Sequence, residues 1–311
     1  MICAYIDQYK HQFGVEPICR VLTEHDIQIA PSSYYAHRRQ PVTDALRAEA
    51  ALVNAVIDLH RENRDLYGIR KMWHTMTQAG HQVGRDQVAR LMSIAGVRGV
   101  SRGQHVTTTT HRGSGAGHSR AADLVNRAWS APTRPDQWWV ADFSYVWTLA
   151  GFCYASFVVD VYSRRILGWR VSRSKTTGLV MSAVEQALFT RRRTDTSFTA
   201  TGLVHHSDAG SQYTSIAFTT ALIEAGIAPS IGTVGDALDN ALMESTIGLY
   251  KTELIDRRPR TWTGPAEVET ATADWVHWFN TQRLHSSINY QPPVSYEQQY
   301  RQSSSPTVEA A

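Results

Sequence analysis

Cysteine is scarce, with Cys3, Cys19 and Cys153 the three in 311 residues. Odd in number and far apart, they suit neither a disulfide framework nor a cysteine-ligated zinc module. No apolar run approaches the ~18 residues a membrane helix needs. The opening Met1-Ile2-Cys3-Ala4-Tyr5-Ile6-Asp7 lacks the basic-then-apolar layout of a secretory signal, so a soluble cytosolic protein is expected. Lysine is also rare: Lys10, Lys71, Lys175 and Lys251 stand among 31 basic residues. Arginine excess with much alanine reads as genome composition and carries no functional weight.

What is present is enough apolar material for a sizeable core. Hydrophobic residues make up 42% and charged residues 19%, which excludes wholesale disorder. The length suggests two or three domains. Residues 1–136 hold 17 basic against 12 acidic side chains, and residues 137–311 hold 14 against 16. A basic half joined to a slightly acidic one suits a polyanion-binding part and a carboxylate-bearing part, although ordinary scatter of surface charge accounts for the numbers equally well.

The first 41 residues read as short helices, with Pro17 to Leu22 opening one and Ser32 or Ser33 capping Tyr34 to Arg39. Thr43 or Asp44 opens a longer amphipathic helix to about Glu62. Ile69, Met72, Trp73 and Met76 then repeat at helical spacing, and Gly80 ends the run. After a short turn Val88, Leu91, Met92 and Ala95 repeat it, and Gly96 stops it. Two short helices around a Gly-bearing turn are what a helix-turn-helix requires. Arg85 and Arg90 lie on the polar side of the second helix, with Arg98 and Arg102 beyond it, all candidates for DNA contact. An ordinary helical hairpin with solvated arginines is the competing reading. The expected division is a helical region over 1–62, a helix-turn-helix over 63–100 and a linker over 101–134, the linker being polar and Gly-rich to 121. A core over 135–300 and a frayed tail over 301–311 complete it.

From Trp138 the period becomes extended. Trp138 to Thr148, Phe152 to Tyr162 and Ile166 to Val171 read as an antiparallel meander. A helix over Thr176 to Arg192, a strand over Leu203 to His206 and a helix over Ser215 to Ala225 follow. A strand over Ala228 to Ile231, a helix from about Asn240 to Leu254 and another over Pro265 to Phe279 end the series. The order β-β-β-α-β-α-β-α packs as a mixed five-stranded sheet flanked by helices, an α/β arrangement shared by the ribonuclease-H-like fold.

Three carboxylates stand out on this frame. Asp142 interrupts an apolar and aromatic strand, where an unpaired charge is costly. Asp208 directly follows a short apolar strand, at the edge where open α/β sheets hold ligands. Glu244 lies early in a helix, with Asn240 and Lys251 spaced to share its face. Taken singly, each has an ordinary structural reading. Brought together they suit a hard cation such as Mg²⁺, which takes oxygen ligands, and two such ions serve in-line phosphoryl displacement. His205 and His206 read as strand-end histidines held by hydrogen bonds rather than as ligands.

The residues then reach a family. His206-Ser207-Asp208-Ala209-Gly210-Ser211-Gln212-Tyr213 and Asp239-Asn240-Ala241-Leu242-Met243-Glu244-Ser245, with 35 residues between Asp208 and Glu244, resemble the D,D(35)E signature of retroviral integrases and bacterial insertion-sequence transposases. Lys251 matches a basic residue often found seven after the Glu. Phe279, Asn280, Arg283, His285 and Ser286, followed by Pro292-Pro293, resemble the C-terminal motif, with Phe279 where Tyr is common. Tyr67-Gly68-Ile69-Arg70, Val88 to Met92, Gly96 to Gly99 and Pro31 to Tyr35 resemble the helix-turn-helix region of the IS-three family of insertion elements, in which this chain looks like the second-frame product.

The resemblance implies a transposase with an integrase catalytic core. Asp142, Asp208 and Glu244 would be the catalytic metal ligands, for two Mg²⁺ ions with Mn²⁺ able to substitute. Lys251, Asn240 and Gln212 would contact DNA near the scissile phosphate. The implied partners are element terminal repeats and target DNA, a second copy of the chain on DNA, and a first-frame protein or fusion. The implied location is the bacterial cytoplasm, on the nucleoid, with no membrane. A non-catalytic DNA-binding regulator and a ribonuclease-H-type nuclease are the other readings of the same residues.

Overall fold

A computed structural model of the chain describes residues 2–39, 42–101, 122–125, 132–208, 210–232, 241–257 and 261–304. Its centre is one sheet, in the order β3-β2-β1-β4-β5. The strands are β1 (Trp138–Thr148), β2 (Gly151–Asp160), β3 (Ile166–Ser172), β4 (Val204–Ser207) and β5 (Ala228–Ile231). The first three pair antiparallel through tight connections, while β4 and β5 run parallel to β1. This is the mixed five-stranded sheet expected from the alternating pattern.

Both faces of the sheet are covered. On one lie α7 (Thr177–Thr194) and α8 (Ile216–Glu224), burying Trp139, Ala141, Val158 and Leu167 among their apolar sides. Gly168 is required there, because a Cβ on it would meet the carbonyl oxygen of Ala183 at 1.9 Å. On the other face lie α9 (Ala241–Tyr250), a π-helical turn (Lys251–Ile255) and α10 (Pro265–Thr281), around Val140, Phe157, Tyr250 and Trp275. The expected single helix to Leu254 thus gives way to a π turn at Lys251. That change of phase lets the consecutive residues Glu253, Leu254 and Ile255 all be buried.

A final helix, α11 (Pro293–Ser304), runs into the span expected to be frayed from 301. Its hold is electrostatic: Glu297 accepts from Arg191 Nη1 and Nη2 at 2.8 and 2.7 Å, from Arg165 Nη1 at 2.7 Å and from Ser163 Oγ at 2.7 Å. Asp160 and Asp136 complete the cluster around the fully buried Arg191. The rest of the tail, 305–311, lies outside the described residues.

Among the described residues, six helices come before the sheet. α1 (Ile2–Phe13), α2 (Val15–Glu24) and α3 (Pro31–Arg39) bury Ile6, Ile18, Cys19 and Tyr34 in a cluster of their own. α4 (Asp44–Glu62) starts where the sequence places it, with Thr43 Oγ1 accepting from Leu46 N–H at 3.2 Å. α5 (Ile69–Gln78) and α6 (Arg85–Ile94) form the expected helix-turn-helix, closed over Met72, Met76, Val88 and Leu91. Trp73 Nε1 donates to Val83 O at 2.9 Å and braces its turn. Gly68 and Gly99 let two backbone segments cross: a Cβ on Gly99 would stand 2.4 Å from Gly68 N.

Most of the expected linker, 102–121 and 126–131, lies outside the described residues. The part between is docked: Leu124 N–H donates to Ser230 Oγ at 2.9 Å beside β5, and Val125 is buried. The helix-turn-helix packs on the core through the C-terminal motif. Leu284 N–H donates to Tyr67 Oη at 2.7 Å, Gln78 Nε2 donates to Tyr290 O at 3.1 Å, and His74 stacks on Tyr290 at 3.7 Å. Among the described residues no helix is long and apolar enough to cross a membrane.

Candidate active site

The register of the sheet brings two of the three carboxylates side by side. Ser207, the last residue of β4, pairs with Ala141 of β1, so Asp208 leaves the sheet beside Asp142. From Asp142 onward β1 has lost its β4 neighbour, and α9 packs against it there, bringing in Glu244. Asp142 is half-buried, while Asp208 and Glu244 are exposed.

Their electrostatics show the proximity. Burial raises the Asp142 carboxyl to about 8; the Asp208 charge adds to this, Phe143 N–H opposes it from 2.7 Å, Glu244 adds again and Lys251 opposes. Glu244 is raised by burial and then by Asp208. Tyr213 is fully buried in the core under α7 and α8, and burial, then Asp142 and Asp208, hold its phenol well above the usual range. Asp208 is thus the neighbour that Asp142, Glu244 and Tyr213 all feel. Among the described residues no three His, Cys, Asp or Glu side chains close to the spacing of ligands on one ion. Like charges in a partly desolvated site repel, and a cation is what would draw them inward. An all-oxygen, anionic donor set whose central member is destabilised as an anion fits a hard divalent ion.

The other expected residues divide. Lys251 Nζ sits over the Tyr145 ring, 4.6 Å from its centroid. Gln212 braces the fold, its amide donating to Lys175 O at 2.9 Å just before α7. Asn240 and Arg102 lie outside the described residues. On the helix-turn-helix, Arg90 is paired with Glu49 of α4, Arg85 lies 3.6 Å from Asp86, and Arg98 is exposed.

The histidines separate as well. His206 Nδ1 shares a hydrogen bond of 2.8 Å with Ser230 Oγ. His205 departs from expectation: neither ring nitrogen has a hydrogen-bond partner, and the ring packs against Phe218 and Tyr213. Burial lowers its pKa to about 3, so it is held neutral as an apolar wall. His285 is structural, with Nε2 3.2 Å from Phe279 O and Nδ1 3.2 Å from Arg283 Nη1.

Two functions of motif residues were not legible. Asn280 clamps the start of β3 with bonds of 2.9 and 2.8 Å to Ile166 N and O. Arg283 forms a buried ion pair of 2.6 Å with Glu253, fixing the π turn after Lys251. A buried pair separated by thirty positions leaves no local pattern; the one hint is an Arg beside an apolar helix end.

With this geometry in view, relatives are informative. Two family models described as "Integrase core domain" match residues 132–237 and 225–293, and one described as "HTH-like domain" matches 47–105. The transposase of insertion sequence element IS629 from Shigella sonnei is 44% identical over 300 residues, covering 95% of each chain. The chain belongs to the IS-three family of insertion-sequence transposases. The transposase of IS904 from Lactococcus lactis is 30% identical over 237 residues, covering 76% of this chain and 89% of that one. The HTLV-2 integrase catalytic core domain, solved in complex with magnesium, is 16% identical with a TM-score of 0.40, covering 53% of this chain and 98% of that one. The family's integrase core and helix-turn-helix thus correspond to the ribonuclease-H-like sheet and to α4–α6.

Proposed function

We propose that the protein is a metal-dependent DNA transposase that cuts at the ends of its element and joins them to target DNA. Asp142, Asp208 and Glu244 are the residues that would hold Mg²⁺ or Mn²⁺, two ions being the number an in-line displacement uses. When bound, such ions neutralise phosphate charge and favour the ionised form of an attacking oxygen. In cleavage, a water oxygen attacks phosphorus and the P–O3′ bond breaks, freeing a 3′-hydroxyl. In joining, that hydroxyl oxygen attacks a phosphorus of the target strand, and a target 3′-hydroxyl leaves.

The chain's own residues bind and orient the substrate. Lys251 contacts a phosphate near the scissile bond and contributes affinity rather than sequence reading. Asn240 and Gln212 are proposed to lie along the same strand. For Gln212 this requires exchanging its bond to Lys175 O for one to DNA. Arg85, Arg90, Arg98 and Arg102 place the helix-turn-helix on duplex DNA, with 63–100 as the DNA-binding unit and 135 onward as the catalytic unit. A second copy of the chain and a first-frame protein are proposed partners, because two element ends must be held together. The protein works in the cytoplasm, on the nucleoid.

The observation that carries this reading is the parallel pairing of Ser207 with Ala141, which sets Asp208 beside Asp142 where α9, bearing Glu244, packs on β1. The test is strand transfer of an element-end oligonucleotide in Mg²⁺ or Mn²⁺. Asp208→Asn is expected to reduce joining to background while leaving duplex binding intact; undiminished joining would refute the proposal.

A further inference from the structure

Beyond the carboxylates the hairpin of β1 and β2 carries an unusual surface. Pairing sets Tyr145 opposite Tyr154 and Trp147 opposite Phe152, all on one face of the sheet. Lower on that face α7 and α8 cover Trp139 and Ala141, but the upper part emerges beyond them. Trp147 is 62% exposed, Phe152 50% and Tyr145 45%. Phe152 contacts both neighbours edge to face, at 4.8 Å from Trp147 and 5.8 Å from Tyr145. The stripe continues inward from Tyr154 to Phe143 and from Phe143 to Tyr213, each step 6.3 Å. It therefore runs from the hairpin tip to Tyr213 on the face of β1 that Phe143 presents, while Asp142 points to the other face with Val140.

The platform is held still. Leu149 N–H donates to Trp262 O at 2.9 Å, and Trp262 Nε1 donates to Ile255 O at 3.1 Å. One buried tryptophan thus ties the hairpin tip to the π turn that begins with Lys251. The Lys251 ammonium rests over the Tyr145 ring, at the edge of the aromatic face.

We infer that Tyr145, Trp147 and Phe152, with Lys251 at their edge, form a stacking platform for unpaired nucleobases of a DNA strand led into the carboxylate site. An apolar patch alone would accept any apolar partner. What narrows the choice is its composition and its course. Rings predominate, and the cation at their edge, Lys251, also bears on Asp142 of the cluster proposed to act on phosphodiesters, so it joins the platform to that cluster around the free edge of β1. A nucleotide presents both a π face and a phosphate, and stacking of this kind tolerates any base. Fraying at a duplex end costs stacking energy, and a fixed platform of rings offsets that cost.

The inference rests on the transposase reading, and its test separates the two. Binding of the full chain to a labelled oligothymidylate of about twelve nucleotides is compared with binding to a blunt duplex, by fluorescence anisotropy at fixed salt. Trp147→Ala and Phe152→Ala are each expected to weaken oligothymidylate binding about tenfold. Duplex binding should stay within about twofold, because the helix-turn-helix supplies it. Trp147→Phe should restore most of the loss. Both side chains are exposed, and far-UV circular dichroism checks that the variants fold. Unchanged oligothymidylate affinity in the double variant overturns the inference and leaves the transposase reading standing. So does a loss of self-association with DNA binding intact, which would make the face a contact between copies. An active Asp208→Asn would remove the transposase reading and leave the stacking result in place.

Discussion

At the scale of single residues, the site is governed by charge crowding rather than by hydrogen bonding. Asp142 has one backbone N–H to itself, and its other close electrostatic partners include two carboxylates of the same sign. Binding a divalent cation should therefore stabilise the fold measurably. At a free Mg²⁺ concentration ten times the dissociation constant, linkage contributes about 1.4 kcal/mol. For a domain of this size that raises the thermal midpoint by about 3–6 °C. The rise should disappear in Asp208→Asn, whose carboxylate is common to the others; a magnesium shift that survives the substitution would place the ion elsewhere. Asp142 and Asp208 were legible because a charge inside an apolar strand, or at its end, is conspicuous. Tyr213 was not, because an aromatic two residues into a turn looks the same whether it faces solvent or is buried within reach of charged groups.

At the scale of elements, two buried ionic clusters fix pieces that local propensity leaves loose. Arg283 and Glu253 anchor the π turn, and Arg191 with Glu297 anchors α11. The second cluster makes a pH prediction. Despite burial, which acts to raise it, hydrogen bonding and charge from Arg191, then Arg165, hold the Glu297 carboxyl down to about 2. A depressed carboxylate contributes stability that is present above its unfolded value of 4.5 and lost as pH falls from there through 2. Asp160 opposes this in part. Burial raises it to about 6, so its contribution is present below 3.8 and is lost as pH rises through 6. Glu297→Gln leaves Arg191 with less compensation in a buried site and should cost about 3–5 kcal/mol at pH 7. The deficit should narrow below pH 4.5, as followed by urea denaturation across pH. A deficit constant with pH would mean that α11 is held by packing alone. Strand periods and helix spacing revealed β1 to β5 and α4 to α10. They could not reveal that α11 stays helical past 301, since its mean polarity is that of a tail and its anchor comes from α7, about a hundred residues away.

At the scale of the molecule, the order of elements was enough to foresee the sheet, because a meander followed by β-α-β units has few packings. The seating of the helix-turn-helix was not foreseeable. It depends on Tyr67, Gln78 and His74 meeting residues 284 to 290, contacts separated by over two hundred positions. These contacts extend one apolar core from Val56 through Leu91 to Phe157 and Trp278, whereas α1–α3 have a separate cluster. The physical consequence is a division of cooperativity. Helices α4–α6 should unfold together with the sheet in one calorimetric transition, and removal of residues 1–41 should leave that transition where it was. Tyr67→Phe removes the acceptor of a buried Leu284 N–H and should cost about 1–3 kcal/mol. It should lower the midpoint of the shared transition instead of splitting it. A helix-turn-helix that melted before the sheet in the unsubstituted protein would show that the joint is a contact and not a core. In that case DNA grip and catalytic geometry would be linked only by the chain itself. A shared core instead means that α6 and the Asp142 strand keep one orientation, so that duplex bound at α6, as proposed, would meet the carboxylates at a fixed distance.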